Sequence, residues 1–238
     1  MKHPLYLAPG LMCDGTSWQP VLPALAERFE CTVVDHRLAD SLPQMAHQIL
    51  DQAPKRFALA GHSMGGRVAL EVMRLAPERV THLGLFDTGH LPKPDGAAGE
   101  AEMAKRMSFL DIARTQGIRA MAQAWVQGMV APHRLQDRPL IDAIVEMIDR
   151  KNLDVFERQI HALIHRPDAT DVVKRVRCPT LVLCGVHDSW APVSQHQALA
   201  DILPARPPVV SIADCGHMAM QEQPQAVAQA MLSWLTAH

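Results

Sequence analysis

The feature that most constrains the fold of this 238-residue chain is a serine in a glycine-rich turn, Gly61-His62-Ser63-Met64-Gly65-Gly66. An apolar run of strand length precedes the turn at residues 56–60, and residues 67–76 after it are apolar at helical spacing. A serine on such a strand–turn–helix corner sits in a tight turn, where neighbouring glycines relieve crowding. The pattern predicts that Ser63 is a nucleophile above the end of a strand and that the amide of Met64 points at the same space.

Alternating strand and helix signals surround this motif. Strand signals occur at residues 3–8, 31–35, 80–86, 180–184 and 208–212. Helical spacing of apolar residues occurs at residues 16–29, 42–52, 193–202 and 224–235. The alternation predicts an α/β fold, with a mostly parallel sheet and helices on both of its faces.

Residues 92–168 have a different character, because helical signals follow one another there without a strand between them. A helical block inside an alternating chain is typical of an inserted cap. We therefore predict a core domain formed by residues 1–91 and 169–238, with a helical cap at 92–168. A cap over a site exposes apolar surface to its ligand. The residues predicted to line the pocket are Met12, Met107, Trp125 and Met129.

A carboxylate and a histidine follow two of the later predicted strands. Asp188 comes after the strand at 180–184, and His217 comes after the strand at 208–212. Parallel sheets bind ligands beyond the carboxyl ends of their strands, so both side chains are expected near Ser63. The order serine, acid, histidine is the order found in hydrolases with a G-x-S-x-G turn. The sequence therefore predicts a catalytic triad of Ser63, His217 and Asp188.

Other residues compete for these roles. Asp87 follows the strand at 80–86 and is a rival for the acid, whereas Asp214 shares a loop with His217 and is interpreted as shaping a turn. His62 is interpreted as a structural neighbour of the nucleophile, because adjacent side chains on a tight turn diverge.

A metal site and a cysteine nucleophile have less support in the sequence than the serine triad. His161 and His165 lie four residues apart on a predicted helix and could chelate a metal, but no third ligand joins them at an obvious spacing. We therefore predict packing roles for both histidines and no metal site. Cys13 and Cys215 lack the turn of a nucleophile, and we expect them to line the pocket at most.

The chain resembles the α/β-hydrolase superfamily, and within it the small, capped carboxylesterase-type members. The resemblance covers roughly residues 5–91 and 169–236. Three segments carry it in order: Gly61–Gly66, the strand with Gly185, Asp188 and Pro192, and Gly216-His217 followed by Glu222 and Pro224.

This resemblance implies an oxyanion hole formed by the backbone amides of Leu11 and Met64. The family usually has His-Gly after the first strand, but this chain has Pro9-Gly10-Leu11-Met12. The glycine is kept and the histidine is not. A backbone donor tolerates side-chain change, so the hole is predicted to be intact, with either Leu11 or Met12 at the donor position.

Charge and cysteine content narrow the function classes. The net charge is −2 with no basic stripe or acidic tail, which argues against nucleic acid or a membrane surface as partner. Five scattered cysteines and no signal peptide predict free thiols in the cytoplasm. The oligomeric state is not predicted.

The predicted function is hydrolysis of a small-molecule carboxylic ester through an acyl-enzyme, with no cofactor. Thioester hydrolysis, carbon–carbon bond hydrolysis and acyl transfer are alternatives on the same triad. A non-catalytic ligand receptor on the same fold is the alternative from another class, and an intact triad argues against it.

Overall fold

Six parallel strands form the centre of a computed structural model that describes residues 2–236. The strands are β1 (His3–Ala8), β2 (Phe29–Val33), β3 (Phe57–His62), β4 (Val80–Phe86), β5 (Thr180–Gly185) and β6 (Val209–Ile212). Their order in the sheet is β2-β1-β3-β4-β5-β6, and every neighbouring pair is parallel. The predicted α/β fold class is thereby confirmed.

Helices connect the strands. They are α1 (Leu22–Ala26), α2 (Leu42–Gln52), α3 (Met64–Leu75), α4 (Gly96–Gln116), α5 (Ile118–Trp125), α6 (Arg138–Asp149), α7 (Leu153–Ile164), α8 (Thr170–Val173), α9 (Val193–Ile202), α10 (Ala219–Glu222) and α11 (Pro224–Leu235). Short 3-10 segments occur at Gly15–Ser17, Pro77–Arg79, Val126–Gly128 and Pro132–Gln136. No helix within residues 2–236 is both long and apolar enough to cross a bilayer.

Apolar layers cover both faces of the sheet. Successive side chains of a strand point to opposite faces, so Leu5 and Leu7 of β1 pack with Trp18 on one side, while Tyr6 packs with residues of α2 and α3 on the other. All six residues of β3 are buried, as expected for a central parallel strand. The loop that follows β3 is therefore supported on both faces.

The connection from β4 to β5 is helical, as predicted for residues 92–168. It contains α4, α5, α6 and α7, and no strand lies between residues 87 and 179. Aromatic side chains link these helices, since the ring centroid of Trp125 lies 6.0 Å from those of both Phe109 and Phe156. The helical block is thus a packed unit above the carboxyl ends of the strands.

Two elements near the N-terminus differ from the prediction. The helix predicted at residues 16–29 is reduced to the 3-10 turn Gly15–Ser17 and the short α1. Pro20 and Pro23 lie inside the predicted span, and a proline in a helix interior removes a hydrogen bond and clashes with the preceding turn. β2 begins two residues earlier than predicted, because Phe29 pairs with His3 of β1.

Candidate active site

Ser63 occupies the corner between β3 and α3 in a strained backbone conformation. Its φ is 53° and its ψ is −114°, a combination that residues with a side chain rarely adopt. A Cβ atom added to Gly61 would overlap the carbonyl of Gly65, and one added to Gly65 would overlap the carbonyl of Ala8. Glycine is therefore required at both positions for the backbone to make this turn.

Hydrogen bonds from the end of β4 hold the strained turn. The amide of Ser63 donates to the carbonyl of Phe86 at 2.9 Å, and the hydroxyl of Thr88 donates to the carbonyl of Ser63 at 2.7 Å. The amide of Thr88 donates in turn to Nε2 of His196 at 2.9 Å. These contacts fix the position of Ser63 relative to the neighbouring strand.

Ser63, His217 and Asp188 form a hydrogen-bonded series. The Oγ atom of Ser63 lies 2.9 Å from Nε2 of His217, and Nδ1 of His217 lies 2.8 Å from Oδ2 of Asp188. The other carboxylate oxygen of Asp188 accepts from the amides of Trp190 at 2.8 Å and Ala191 at 3.0 Å. The sheet thus brings together the three side chains that the sequence singled out, from loops 125 and 29 residues apart.

The environment of Asp188 favours its charged form. Burial by itself would raise the pKa of Asp188, but the charge and hydrogen bond of His217 and the two amides together lower it below its usual range. An ionised carboxylate at this position accepts a hydrogen bond from the Nδ1–H group of His217. His217 therefore presents an unprotonated Nε2 to the hydroxyl of Ser63 when the ring is neutral.

Asp87, the rival acid, occupies a different environment. Its Oδ1 accepts from the amide of Gly185 at 2.9 Å, and its Oδ2 lies 4.0 Å from Nε2 of His62. Complete burial, followed by the charge of Asp188, raises the pKa of Asp87 well above its usual range. Asp87 thus lies beneath the site in surroundings that favour its neutral form, whereas Asp188 is the acid that contacts His217.

Glu222 attaches the His217 loop to the helical block. Its Oε1 accepts from the amides of Gly216 at 2.9 Å and Met218 at 3.1 Å, and its Oε2 accepts from the amide of Ala131 at 2.8 Å. The carbonyl of Met129 also accepts the amide of His217 at 2.7 Å. The helical block therefore positions His217 directly, through contacts that no local sequence pattern reveals.

One hydrogen bond distinguishes Leu11 from Met12, the two candidates for the backbone donor in the loop after β1. The amide of Met12 donates to Oε1 of Gln159 at 2.8 Å, so this donor is already engaged. Leu11 instead lines the cavity at Ser63, together with Met64. Gly10 is needed here because a Cβ atom would lie 2.8 Å from Nδ1 of His62.

A cavity of about 70 Å³ opens at Ser63 and His217. Of the residues predicted to line the pocket, Trp125 does so. Met107 instead lines a separate cavity of about 430 Å³ between α4 and α7, because it lies on the face of α4 that packs toward Ile160. Met12 and Met129 are not part of the cavity wall and contribute backbone hydrogen bonds instead.

Polar residues absent from the prediction also line this cavity. They are Arg67, Thr88, Arg106, Trp190 and Gln195. Arg67 could have been found from sequence, because it lies one helical turn after Ser63 and residues four apart on a helix share a face. The remaining residues lie on other elements, and no sequence pattern around Ser63 indicates them.

The alternative metal and thiol interpretations receive no geometric support. Residues 2–236 contain no group of three or more side chains suited to hold a metal ion. His161 and His165 each hydrogen-bond a backbone carbonyl, of Asp40 and His161 respectively. Burial raises the pKa of Cys13 to about 12, and neither Cys13 nor Cys215 lines the cavity at Ser63.

A buried histidine near the first loop predicts an acid-sensitive fold. Burial lowers the pKa of His36 from 6.5 to about 4. A histidine whose pKa is depressed on folding stabilises the protein fully above pH 6.5, and this contribution is lost as the pH falls toward 4. Between pH 8 and pH 5 the wild type is expected to lose about 2 kcal/mol more free energy of unfolding than His36→Gln. Urea titrations at both pH values measure this difference.

Comparing the wild type with His36→Gln isolates the contribution of His36 to the pH dependence of stability. Asp87 and Glu222, whose pKa values are raised by burial, titrate in the opposite sense and are common to both proteins. His47→Gln, at an exposed position on α2, is the matched control and should retain the wild-type pH dependence. An identical loss of stability in the wild type and His36→Gln would contradict the prediction.

The fold and the site together define a class of protein. A parallel α/β sheet that carries a serine on a strand-to-helix turn, beside a histidine and a carboxylate, is an arrangement used by serine hydrolases. Residues 5–230 match the profile of a family described as "Alpha/beta hydrolase family". The chain therefore belongs to the alpha/beta hydrolase family, which confirms the family and the enzyme class predicted from the sequence.

Individual relatives share moderate identity with the chain. It is 26% identical over 215 residues to a pimeloyl-(acyl-carrier protein) methyl ester esterase of Nitrosomonas europaea, covering 84% of this chain and 82% of that protein. It is 24% identical over 215 residues to the Yersinia enterocolitica protein named "putative carbamate hydrolase RutD", covering 83% of this chain and 75% of the other. The chain spans only 64% and 36% of two other curated relatives that it matches.

A solved structure shows the same architecture. The thermophilic esterase from Thermogutta terrifontis, in its malate-bound form, superposes with a TM-score of 0.85 at 27% sequence identity. The alignment covers 99% of this chain and 90% of that one. The two proteins thus share one fold over nearly their whole lengths.

Proposed function

We propose that the protein is a serine hydrolase that cleaves a small carboxylic ester through an acyl-enzyme intermediate. One observation carries the proposal: the continuous hydrogen-bonded series from Ser63 Oγ through His217 to Asp188, at 2.9 and 2.8 Å. Both distances lie within the range required for proton transfer between a nucleophile, a base and an orienting acid.

The proposed reaction has two halves. Ser63 Oγ attacks the ester carbonyl while Nε2 of His217 takes the hydroxyl proton, and the resulting tetrahedral intermediate collapses as His217 returns that proton to the leaving alcohol. Water then attacks the acyl-enzyme with His217 as base, which releases the acid and restores Ser63. Asp188 holds the imidazole in one tautomer and stabilises the imidazolium that forms in each half.

The amides of Leu11 and Met64 are proposed as oxyanion donors. Both residues line the cavity at Ser63, and Met64 is the first residue of α3, where backbone amides have no partner within the helix. The positive end of the α3 dipole adds to the stabilisation of a negatively charged oxygen there. Such donors act on charge that develops only in the transition state.

The ester assignment draws on the relatives. The Nitrosomonas europaea protein is named for a methyl ester and the Thermogutta terrifontis protein is named an esterase. The cavity of about 70 Å³ at Ser63 suits a short acyl group. We therefore propose a small-molecule ester as the substrate.

The domain organisation and location are part of the same proposal. We propose that residues 92–168 act as a cap on a core formed by 1–91 and 169–238, because helices of this block supply Arg106, Trp125 and Leu163 to the cavity wall. We place the enzyme in the cytoplasm because its five cysteines are free thiols.

Covalent labelling combined with a substrate panel tests the proposal. A fluorophosphonate should add one phosphonyl group to Ser63, located by peptide mass spectrometry, and should abolish turnover in parallel with labelling. Short methyl and p-nitrophenyl esters should be hydrolysed faster than thioesters of the same acid and than a β-diketone. Labelling elsewhere with full loss of activity would contradict the nucleophile, and faster turnover of the thioester or diketone would select that alternative.

A further inference from the structure

We propose that the substrate carries a carboxylate a few atoms from the scissile carbonyl, and that Arg67 and Arg106 bind it. This inference rests on the proposed function, because it names the substrate class of the same site. Both arginines line the cavity that Ser63 and His217 also line.

Arg67 is a half-buried cation with no counter-charge of its own. Its Nη1 donates to the carbonyl of Leu91 at 2.8 Å, and among residues 2–236 no carboxylate lies within ion-pair distance of it. Burial, followed by the charges of Arg166 and Arg106, lowers the pKa of Arg67 to about 9, so the guanidinium is still charged at neutral pH. A desolvated cation without a partner is costly, and an incoming anion removes that cost.

Glu102, the carboxylate whose charge acts on Arg67, is already engaged by two other arginines. Arg166 forms a bidentate pair with it at 2.6 and 2.8 Å, and Arg106 donates to the same carboxylate at 2.9 Å. These contacts hold the pKa of Glu102 at about 2, so it is a fixed anion. One negative charge shared by Arg106 and Arg166 leaves the neighbourhood of Arg67 with a net positive charge.

A groove of about 740 Å³ extends this positive region outward from the cavity, with which it shares Arg67, Arg106, Trp190 and Gln195. Four cations and two carboxylates lie along the groove: Arg67, Lys105, Arg106, Arg166, Glu102 and Asp168. Lys105 stacks over the ring of Trp190 at 3.7 Å. A negatively charged substrate would be attracted along this groove toward Ser63.

The small size of the cavity favours a short dicarboxylic half-ester over a larger anion. Ser63 and Arg67 both line the cavity of about 70 Å³, so the scissile carbonyl and the carboxylate would belong to one short molecule. A glutarate half-ester, with three methylenes between its two carbonyl carbons, is a probe of this size. Arginine forms the planar, two-pronged contact that a carboxylate prefers.

Paired substrates test the inference. Methyl hydrogen glutarate carries the carboxylate, and methyl glutaramate replaces it with a neutral amide of the same shape; a pH-stat follows release of acid from each. The wild type should show kcat/KM at least about tenfold higher for the charged ester, because hydrogen bonds to charged groups contribute about 1.5–3 kcal/mol.

Variants assign that preference to the arginine. Arg67→Gln should lose at least about tenfold on methyl hydrogen glutarate and change by less than about threefold on methyl glutaramate, and Arg67→Lys should lose less. Arg119→Gln, on the exposed face of α5, is the matched control and should keep the wild-type values for both esters. A wild type without preference for the charged ester, or an equal loss on both esters in Arg67→Gln, would overturn the inference.

Calorimetry on Ser63→Ala separates this inference from the proposed function. Glutarate should bind that variant and should bind more weakly once Arg67→Gln is added. If no ester is hydrolysed by the wild type, the proposed function fails, and glutarate binding alone decides whether the carboxylate site exists. Tighter binding of inorganic phosphate than of glutarate would overturn the inference that the site binds a substrate carboxylate. The inference would also fail if glutarate activated hydrolysis of the neutral ester as a separate effector.

Discussion

Ser63→Ala is expected to lower kcat for p-nitrophenyl butyrate by about 10⁴- to 10⁶-fold, leaving only the rate that binding and the oxyanion donors supply. The reason is the geometry of the 2.9 Å contact between Ser63 Oγ and Nε2 of His217. Without the hydroxyl no acyl-enzyme forms, and the imidazole has nothing to activate except water. Steady-state assays with enzyme purified from a host lacking background esterase activity measure the loss.

The fold of this variant should be retained. The strained φ of Ser63 is imposed by its neighbours, and alanine adopts the same conformation at a similar cost. Thermal unfolding and circular dichroism check this point. Ser233→Ala, at an exposed position on α11, is the matched control and should keep full activity. Activity of Ser63→Ala within tenfold of the wild type would exclude Ser63 as the nucleophile.

The second large effect is expected for Asp188→Asn, with a decrease in kcat of about 10⁴-fold. An amide at this position can present its NH₂ group to Nδ1 of His217, which favours the tautomer that carries its proton on Nε2. That tautomer cannot accept a proton from Ser63. Because asparagine has nearly the shape of aspartate, the loss would reflect proton placement rather than packing.

Asp87→Asn is the matched comparison and should change kcat by less than about tenfold. Burial raises the pKa of Asp87 and so favours its neutral form, and asparagine keeps an oxygen that can accept a hydrogen bond from the amide of Gly185. The same p-nitrophenyl butyrate assay compares both variants, with unfolding curves to confirm that each is folded. If Asp87→Asn were inactive and Asp188→Asn active, the acid would be Asp87.

Local patterns predicted most of the sheet because they are set by residues close in sequence. β1, β4, α2, α9 and α11 have the predicted bounds, since their apolar spacing and their start and stop residues are read within each segment. The turn at Ser63 was predictable for the same reason, because Gly61 is required by a contact inside the turn, with the carbonyl of Gly65. The helix predicted at residues 16–29 was wrong where prolines outweighed the apolar periodicity.

Pocket lining was harder to predict from the same patterns. Met107 and Trp125 both lie on helices with apolar faces, but only Trp125 faces the cavity at Ser63. Periodicity says which side chains of a helix are apolar, and it does not say whether their neighbour is another helix or a ligand. That choice depends on how α4 and α5 pack over the strand ends.

Strand and helix periods and glycine turns are local properties, so the residues of each segment specify the fold class, the strained serine turn and the order of the serine, acid and histidine. Contacts between distant elements specify which acid contacts His217, how Glu222 attaches its loop to the helical block, and that Arg67 has no counter-charge beside Ser63. Each of these depends on side chains from distant elements meeting in a desolvated space. Burial and proximity determine their charge and partners there, and neither quantity is encoded within a single segment.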